Sequence, residues 1–560
     1  MRCLHRGAPP PSSSGASTLI SWSYRHGRCP QLRDQRGVVP SPNEPAAPAD
    51  IGRHPVANLF PTQEEEAFTG LVEDIRPSET VDSEMVAMSA VEAVERVASP
   101  ARRPTSAATL TREMFTTSRL VEFCSQRELV AQTGHPVDDW PLVLVKELVD
   151  NAIDIAEEIG TAPSVDMSVD SACGEIVVVD NGPGLPPETV VALLDYSVRV
   201  SSREPYVSPT RGAQGNALKT LIAMAFALDG TKGETIIEAR GIAHRIIFAV
   251  DRLRQEPRIS HQTAPSDVTI GTRVTVRWPD SACSILRDAM ERFLQIAEDF
   301  SWLNPHLRII ARWDNHLFVD RQPSDPVWEK WRARDPTSAH WYTAERSERY
   351  IAAHVARDQD TGRERMVRGF ISELRGLSGS AKQKAVLADT GMSRAALASL
   401  FDADGSPRRD DIARLLAACQ KHTRTVKPKA LGVIGRDHLL ACFRTAGVHE
   451  ESFKYSMATG EADGLPWIVE TAFGFCPESS AGRRIIAGVN FSVGIDNPFR
   501  SFRRYGGEGL EAHLNQLRAG ANEPIVVVLH FACPRVEFTD RGKTAVILPG
   551  ARPSDALSGD

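Results

Sequence analysis

Lysine is scarce in this 560-residue chain. Only 11 of its 65 cationic residues are Lys, the first being Lys146, and the other 54 are Arg. Where Arg is the default cation, a retained Lys marks a place that can use a compact, flexible ammonium, which helps to rank candidates found by other means. Long apolar runs are also missing: nothing approaches 18 uncharged apolar residues, which excludes a membrane-spanning helix. The nine cysteines (3, 29, 124, 173, 283, 419, 442, 476 and 533) are scattered with no CxxC pair. That pattern excludes a disulfide frame and a cysteine zinc site, and fits reduced thiols in a cytosol. There is no excess of positive charge, the net charge being −7 and the pI about 6.1. The molecule as a whole is therefore no polycation, and DNA binding needs a local basic patch. No internal repeat is visible. What remains is an ordinary globular composition, 42% hydrophobic and 24% charged, long enough for three or four units at about 150 residues each.

Residues 1–107 stand apart. They open with Pro9-Pro10-Pro11-Ser12-Ser13-Ser14, turn acidic at Glu64-Glu65-Glu66 and contain no Lys. Such a segment buries too little apolar surface to offset its ordering entropy, and it has no clean apolar core of a targeting peptide. It reads as a disordered leader, or as a start placed upstream of true initiation at Met85, Met88 or Met114. Beyond it, helical spacing is expected over 115–133 and 141–160, the latter with an apolar stripe of Leu142, Val145, Val149, Ala152 and Ile153 and a polar face of Glu147, Asn151 and Asp154. A buried strand is expected at 175–180, a helix at 217–228, strands at 235–250 and 268–278, a helix at 284–301 and a strand at 307–319. From 345 to 425 the pattern is helical, with basic residues at Arg375, Lys382, Lys384, Arg408, Arg409 and 421–429 (KHTRTVKPK). A helix near 435–445, strands at 466–475, 484–493 and 524–531, and a helix near 507–519 complete the pattern.

Three elements carry chemistry. Glu147 and Asn151 lie one helical turn apart, so a carboxylate able to take a proton from water stands beside a carboxamide able to ligate Mg²⁺. On its own this pair is usually a solvated polar face. Asp180-Asn181-Gly182-Pro183-Gly184 ends the 175–180 strand, where an Asp can accept from an exocyclic amine and glycines let backbone approach a planar ring. On its own it is equally a tight turn. Arg211-Gly212-Ala213-Gln214-Gly215-Asn216 precedes a helix, where backbone N–H groups and the helix dipole suit phosphate.

In this order and spacing the three resemble the N-box, the DxGxG box and the glycine lid of the GHKL ATPase superfamily, and Gly271-Thr272-Arg273-Val274 resembles its GTxV element. KELVDNAIDIAEE, VVDNGPGLPPE and RGAQGN are similar to the B-type, ATP-binding subunits of topoisomerase VI, the type IIB DNA topoisomerase. LNPHL, the helices at 366–425, LPWIVETAFGF, IIAGVNFSVGIDNPF and EPIVVVLHFACPRVEFTDRGKTAVILP extend the resemblance over about 110–550. It implies an α/β (α+β) chain. A strap and GHKL (Bergerat) ATP-binding sandwich would span 108–325, a helix–two-turn–helix insert 335–428, and an α/β transducer like ribosomal protein S5 429–550, before a disordered tail at 551–560.

The resemblance also implies roles. Glu147 is the general base, Asn151 the Mg²⁺ ligand, and Asp180 the reader of the adenine amine with Thr272 assisting. Gly182 and Gly184 shape the base pocket. Arg211, Gly212, Gln214, Gly215, Asn216 and Lys219 lie on the phosphate side, and Lys543 is a switch lysine reaching the γ-phosphate. ATP and Mg²⁺ are the implied cofactors. DNA, a second copy joined in an ATP-dependent homodimer through 109–135, and a separate Toprim-type cleavage subunit with a catalytic Tyr are the implied partners, in the cytoplasm at the nucleoid. Two departures stand out. Ala217 replaces the lid's next glycine, leaving fewer N–H groups for phosphate unless Lys219 compensates. Asn490-Phe-Ser-Val-Gly-Ile replaces an Asn-Arg-x-Pro-Leu-Leu stretch of the transducer. They keep open an alternative, a non-cleaving ATP-gated DNA clamp or scaffold in repair or phage defence. Asp402-Ala403-Asp404 lacks the βα surroundings of a Toprim metal site. His135-Pro136 lies just before the N-box helix rather than on a dimerising helix pair, which disfavours a phosphoacceptor.

Overall fold

The computed structural model describes residues 124–196, 205–211, 217–254, 256–477, 482–501, 508–539 and 544–548. All belong to one unit. The chain enters through α1 (Gln126–Thr133), then α2 (Trp140–Ile159), β1 (Ser164–Asp170), β2 (Glu175–Asp180), α3 (Pro187–Leu193) and α4 (Ala217–Ala227). It continues through β3 (Gly233–Ala239), β4 (Ile242–Asp251), β5 (Glu256–Pro265), β6 (Thr272–Arg277), α5 (Cys283–Asp288), α6 (Met290–Leu303), β7 (Arg308–Trp313) and β8 (His316–Arg321). The eight strands form one mixed sheet in the order β5-β4-β3-β6-β2-β1-β7-β8, antiparallel except for the β1–β7 pair.

The helix α2 forms where the sequence asks for it. Pro141 sits in the first turn, where its missing N–H costs nothing, and Gly160 closes the helix in a left-handed conformation, its amide bonding Ala156 and Glu157 carbonyls. Leu142, Val145, Val149, Ala152 and Ile153 are all buried, the stripe read from the periodicity. Together with α4 and α6, α2 covers the apolar face of the sheet.

Three expected stretches before residue 322 are corrected. The 235–250 stretch is a hairpin, β3 and β4, broken at Arg240-Gly241, both in the left-handed region. The 307–319 stretch is likewise a hairpin, turned at Asp314-Asn315. The 284–301 helix is two helices, α5 and α6. Strands β1 and β5 had no expectation. β5 is an edge strand with mostly exposed side chains, so its sequence carries no apolar alternation to read.

Four helices follow: α7 (Ala344–Thr361), α8 (Val367–Ser372), α9 (Ser380–Thr390) and α10 (Arg409–Lys421). Thr343 caps α7 through the Arg346 amide, and Gly362 ends it. Tyr206, Tyr342, Tyr350, His354 and Phe370 pack ring against ring between this helical stretch and the 205–211 segment. Asp402 sits in a short turn and pairs with Arg408 at 2.8 Å.

The last stretch comprises α11 (Arg436–Thr445), β9 (Lys454–Ala462), β10 (Leu465–Phe475), β11 (Arg484–Val489), β12 (Ser492–Val493), α12 (Leu510–Gln516), β13 (Ile525–Ala532), β14 (Glu537–Phe538) and β15 (Val546–Ile547). The strands β12-β11-β13-β10-β9 form a second sheet, in which β11 and β13 run parallel. Every residue of β13 is buried, as its near-continuous apolar run requires of a central strand. The β11–β12 edge of this sheet lies against α6 and α2.

Candidate nucleotide site

Asp180, at the end of β2, faces the start of the neighbouring strand β6, since Val179 pairs with Arg273. Its Oδ1 accepts from the Gly182 amide at 2.8 Å and from the Thr272 amide at 3.1 Å. The Thr272 hydroxyl in turn accepts from the Leu185 amide at 3.3 Å. The DNGPG and GT loops, about 90 residues apart in sequence, are thus locked together. Gly271 makes this possible: its φ is +76°, and a Cβ there would lie 1.8 Å from the Asp180 carbonyl oxygen. Burial raises the Asp180 carboxyl above the usual range, against the two amide donors that hold it down. No cation pairs with it among the described residues. A half-buried carboxylate with backbone donors on one oxygen and no cationic partner among the described residues fits the acceptor for a ligand amine.

Glu147, Asn151 and Ile155 succeed one another at i, i+4 and i+8 along α2 and so share a face. Gly182 meets this face, where a Cβ would come within 2.6 Å of Ile155 Cγ2. The candidate base, the candidate magnesium ligand and the residue that meets the DNGPG turn therefore follow one another along one face of α2. Glu147 and Asn151 are half-buried, and the Asn151 carboxamide has no hydrogen-bond partner among the described residues, which suits a cation's oxygen ligand. Lys146 bonds Asp150 at 2.9 Å and Glu147 at 3.4 Å. Burial disfavours its charge, but the two carboxylates outweigh that and raise its pKa. Among the described residues no cluster of three or more His, Cys, Asp or Glu side chains could hold a metal.

Gly184 lies close to the Gly271 carbonyl at the rim of the same loop pair. On α4 the Lys219 ammonium donates to the Asp195 carbonyl and stands 5.8 Å from the Tyr196 ring centre, and burial lowers its pKa. Gly212, Gln214, Gly215, Asn216 and Lys543 lie outside the described residues.

Arg211 requires a correction. Its side chain has no exposure and is taken up by Asp154 at 2.6 Å, both oxygens of Glu157 at 2.9 Å, Asn304, and the Phe491 carbonyl at 3.4 Å. All five N–H groups of the guanidinium are taken by these partners, which leaves none for a phosphate. Burial opposes its charge, but Glu157 and Asp154 raise its pKa further. Asp154, expected on the face of Glu147, belongs to this cluster instead. Lys330 and His306 complete it, at 2.9 and 3.1 Å from Glu157. Burial works against the Glu157 charge, yet Arg211 and Lys330 hold its carboxyl well below the usual range. Asn304 and His306 are the polar residues of LNPHL, so that signature now has a physical role. Glu157 and Lys330 were not foreseen; the buried Lys330 is one of the few lysines, which was the one available hint.

Residues 138–282 match the family described as histidine kinase-, DNA gyrase B- and HSP90-like ATPase. This stretch is a GHKL ATPase domain. Its mixed α/β fold is the one described above. Over 173 residues, 30% of the chain, the protein is 25% identical to the B subunit of type 2 DNA topoisomerase 6 from Archaeoglobus fulgidus and 27% identical to the protein of the same name from Natronomonas pharaonis. The match spans 28% and 21% of those relatives' lengths. Solved structures similar to the chain include the gyrase B protein of Myxococcus xanthus (13% identity, 78% of this chain and 92% of that one, TM-score 0.35). Another is the N-terminal domain of a DNA repair protein (12% identity, 75% and 92%, TM-score 0.35).

Outside the GHKL ATPase domain, Arg375 stacks over Trp331 at 4.6 Å. Arg409 and Lys421 pair with Glu348 at 3.4 Å and Asp389 at 2.9 Å. Lys382, Lys384, Lys427 and Lys429 are exposed, with no acidic partner among the described residues. No described helix is long and apolar enough to cross a membrane.

Proposed function

We propose that the chain binds and hydrolyses ATP as the B-type component of a topoisomerase VI-like, type IIB enzyme. The observation that carries the reading is the interlocked pair of loops that sets Asp180, Gly182 and Thr272 beside the Glu147–Asn151 face of α2. Asp180 accepts the adenine amine, and Thr272 fixes its orientation. Glu147 takes a proton from the attacking water. Mg²⁺ held by Asn151 supplies charge neutralisation at the phosphates. The 212–216 amides and Lys543 hold the phosphate oxygens. ATP joins two copies through the segment preceding α2, and the closed dimer passes DNA opened by a separate cleavage subunit, at the nucleoid in the cytoplasm. The exposed lysines of 382–384 and 427–429 supply phosphate contacts.

A second reading is a non-cleaving ATP-gated DNA clamp or scaffold. Ala217 and the Asn490-Phe-Ser turn, which depart from the family pattern, favour it, as does a match confined to 30% of the chain. The test is ATP hydrolysis by the full chain, with and without DNA, beside Glu147→Ala. DNA-stimulated turnover in the wild type and none in the variant supports an ATPase with this base. Equal turnover in the two rules Glu147 out. Nucleotide-dependent dimerisation and DNA retention without turnover moves the assignment to the clamp.

A further inference from the structure

The turn between β11 and β12 brings two non-glycine residues in succession, Asn490 and Phe491, into the left-handed region, at φ 50° and 68°. A bulky residue does not adopt that conformation unless its surroundings impose it. Here they do. The Asn490 side chain pairs in both directions with the Cys533 backbone, at 2.9 and 3.0 Å. The Phe491 amide donates to His530 Nε2 at 3.1 Å, and His530 stands 3.4 Å from Glu470, neither side chain having any exposure. The Phe491 carbonyl accepts from Asn304 at 2.9 Å and from Arg211. The turn is held from the second sheet on one side and from the Arg211 cluster on the other.

What it presents to α2 is Ser492. The Ser492 hydroxyl donates to Asp150 Oδ2 at 2.6 Å. The same oxygen accepts from the Lys146 ammonium at 2.9 Å, and Lys146 also reaches Glu147. Three consecutive contacts therefore run from the second sheet to the candidate base. We infer that Ser492 is a positioning residue for Glu147: the turn fixes Asp150, Asp150 fixes the Lys146 ammonium, and Lys146 fixes where the Glu147 carboxylate stands. A displacement of the second sheet relative to α2 is then felt at the base without touching the adenine end of the candidate site. The inference rests on the reading of Glu147 as the base.

The test compares Ser492→Ala, Ser492→Thr and Asp150→Asn in the full chain. Loss of one hydroxyl contact in the relay lowers kcat about 5- to 10-fold with KM for ATP changed less than about 2-fold, because ATP binding is left intact. Ser492→Thr, which keeps the hydroxyl, recovers most of the loss, and Asp150→Asn shows the same split. Amide hydrogen exchange over 146–151, measured without nucleotide, is faster in Ser492→Ala than in wild type. Wild-type kcat, KM and exchange in Ser492→Ala overturn the inference and leave the role of Glu147 standing. A parallel loss in kcat and rise in KM also overturns it, since that is the mark of a merely structural contact. Failure of the Glu147 reading shows instead as a Glu147→Ala variant that hydrolyses like wild type. If Ser492→Ala does not fold, Asp150→Asn decides by the same split.

Discussion

The short segment 205–211 joins two buried regions of opposite character. At one end Tyr206 packs 5.1 Å from Tyr350, and the Val207 amide and carbonyl are bonded by Tyr342 and Thr337. At the other end, Arg211 joins Lys330, the three carboxylates Asp154, Glu157 and, at 3.8 Å, Asp150, and the His306 ring in one cluster. The aromatic region is held by apolar contact, which is non-directional and tolerates repacking. The charged region is held by geometry, because each buried charge is tolerable only while its partners stay in place. The first is a joint for stability. The second ties α2, the LNPHL turn and the second sheet into one orientation, and it shares a helix with the candidate base.

Breaking each joint should expose the difference. Arg211→Ala leaves Glu157 and Asp154 buried beside too few cations and should cost about 3–5 kcal/mol in denaturant unfolding. A loss below about 1 kcal/mol would show that the cluster is solvated in solution.

The aromatic joint should respond to pH instead. Burial first, and then the Arg365 charge, lower the His354 imidazole to about 4. The folded-state value lies below the unfolded one, near 6.5, so the neutral ring's contribution is complete above the unfolded value and is lost as pH falls towards the folded one. Between about pH 7 and about pH 5 this amounts to about 1–2 kcal/mol. Comparison of unfolding curves for wild type and His354→Phe should show the pH slope flattened in the variant; equal slopes would remove His354 as its source.

The smallest expected effect is Tyr350→Phe. Among the described residues the buried Tyr350 hydroxyl has no partner within ordinary hydrogen-bond geometry, so its removal should change stability by less than about 0.5 kcal/mol or raise it slightly. A clear loss in thermal unfolding would mean that the hydroxyl is bonded.

The same contrast explains what was legible in the sequence. Helix α2, the strand ending at Asp180 and the glycines around it are local signals, each written within a few residues by periodicity, caps and turn chemistry. The Arg211 cluster is written nowhere locally. Arg211 finds Glu157, Asn304 and Phe491 at separations of 54, 93 and 280 residues. Adjacency to the glycine lid therefore suggests phosphate, while the fold commits every donor of the side chain to this cluster. The strand β5 is not legible in the sequence because an exposed edge strand has no apolar face to mark it. The relay from Ser492 to Glu147 could not be read either. The departure at 490–495 stood out against the family pattern, but a left-handed turn at Phe491 depends on contacts from Cys533 and His530 that only the folded sheet provides.

The most direct measurement for the adenine end of the candidate site is equilibrium ATP binding by wild type and Asp180→Asn, with thermal unfolding of both as a control. With the stability unchanged, loss of a charged acceptor for the amine should weaken binding roughly 10- to 100-fold, the equivalent of about 1.5–3 kcal/mol. Equal affinities in two equally stable proteins would contradict the placement of the nucleotide at Asp180.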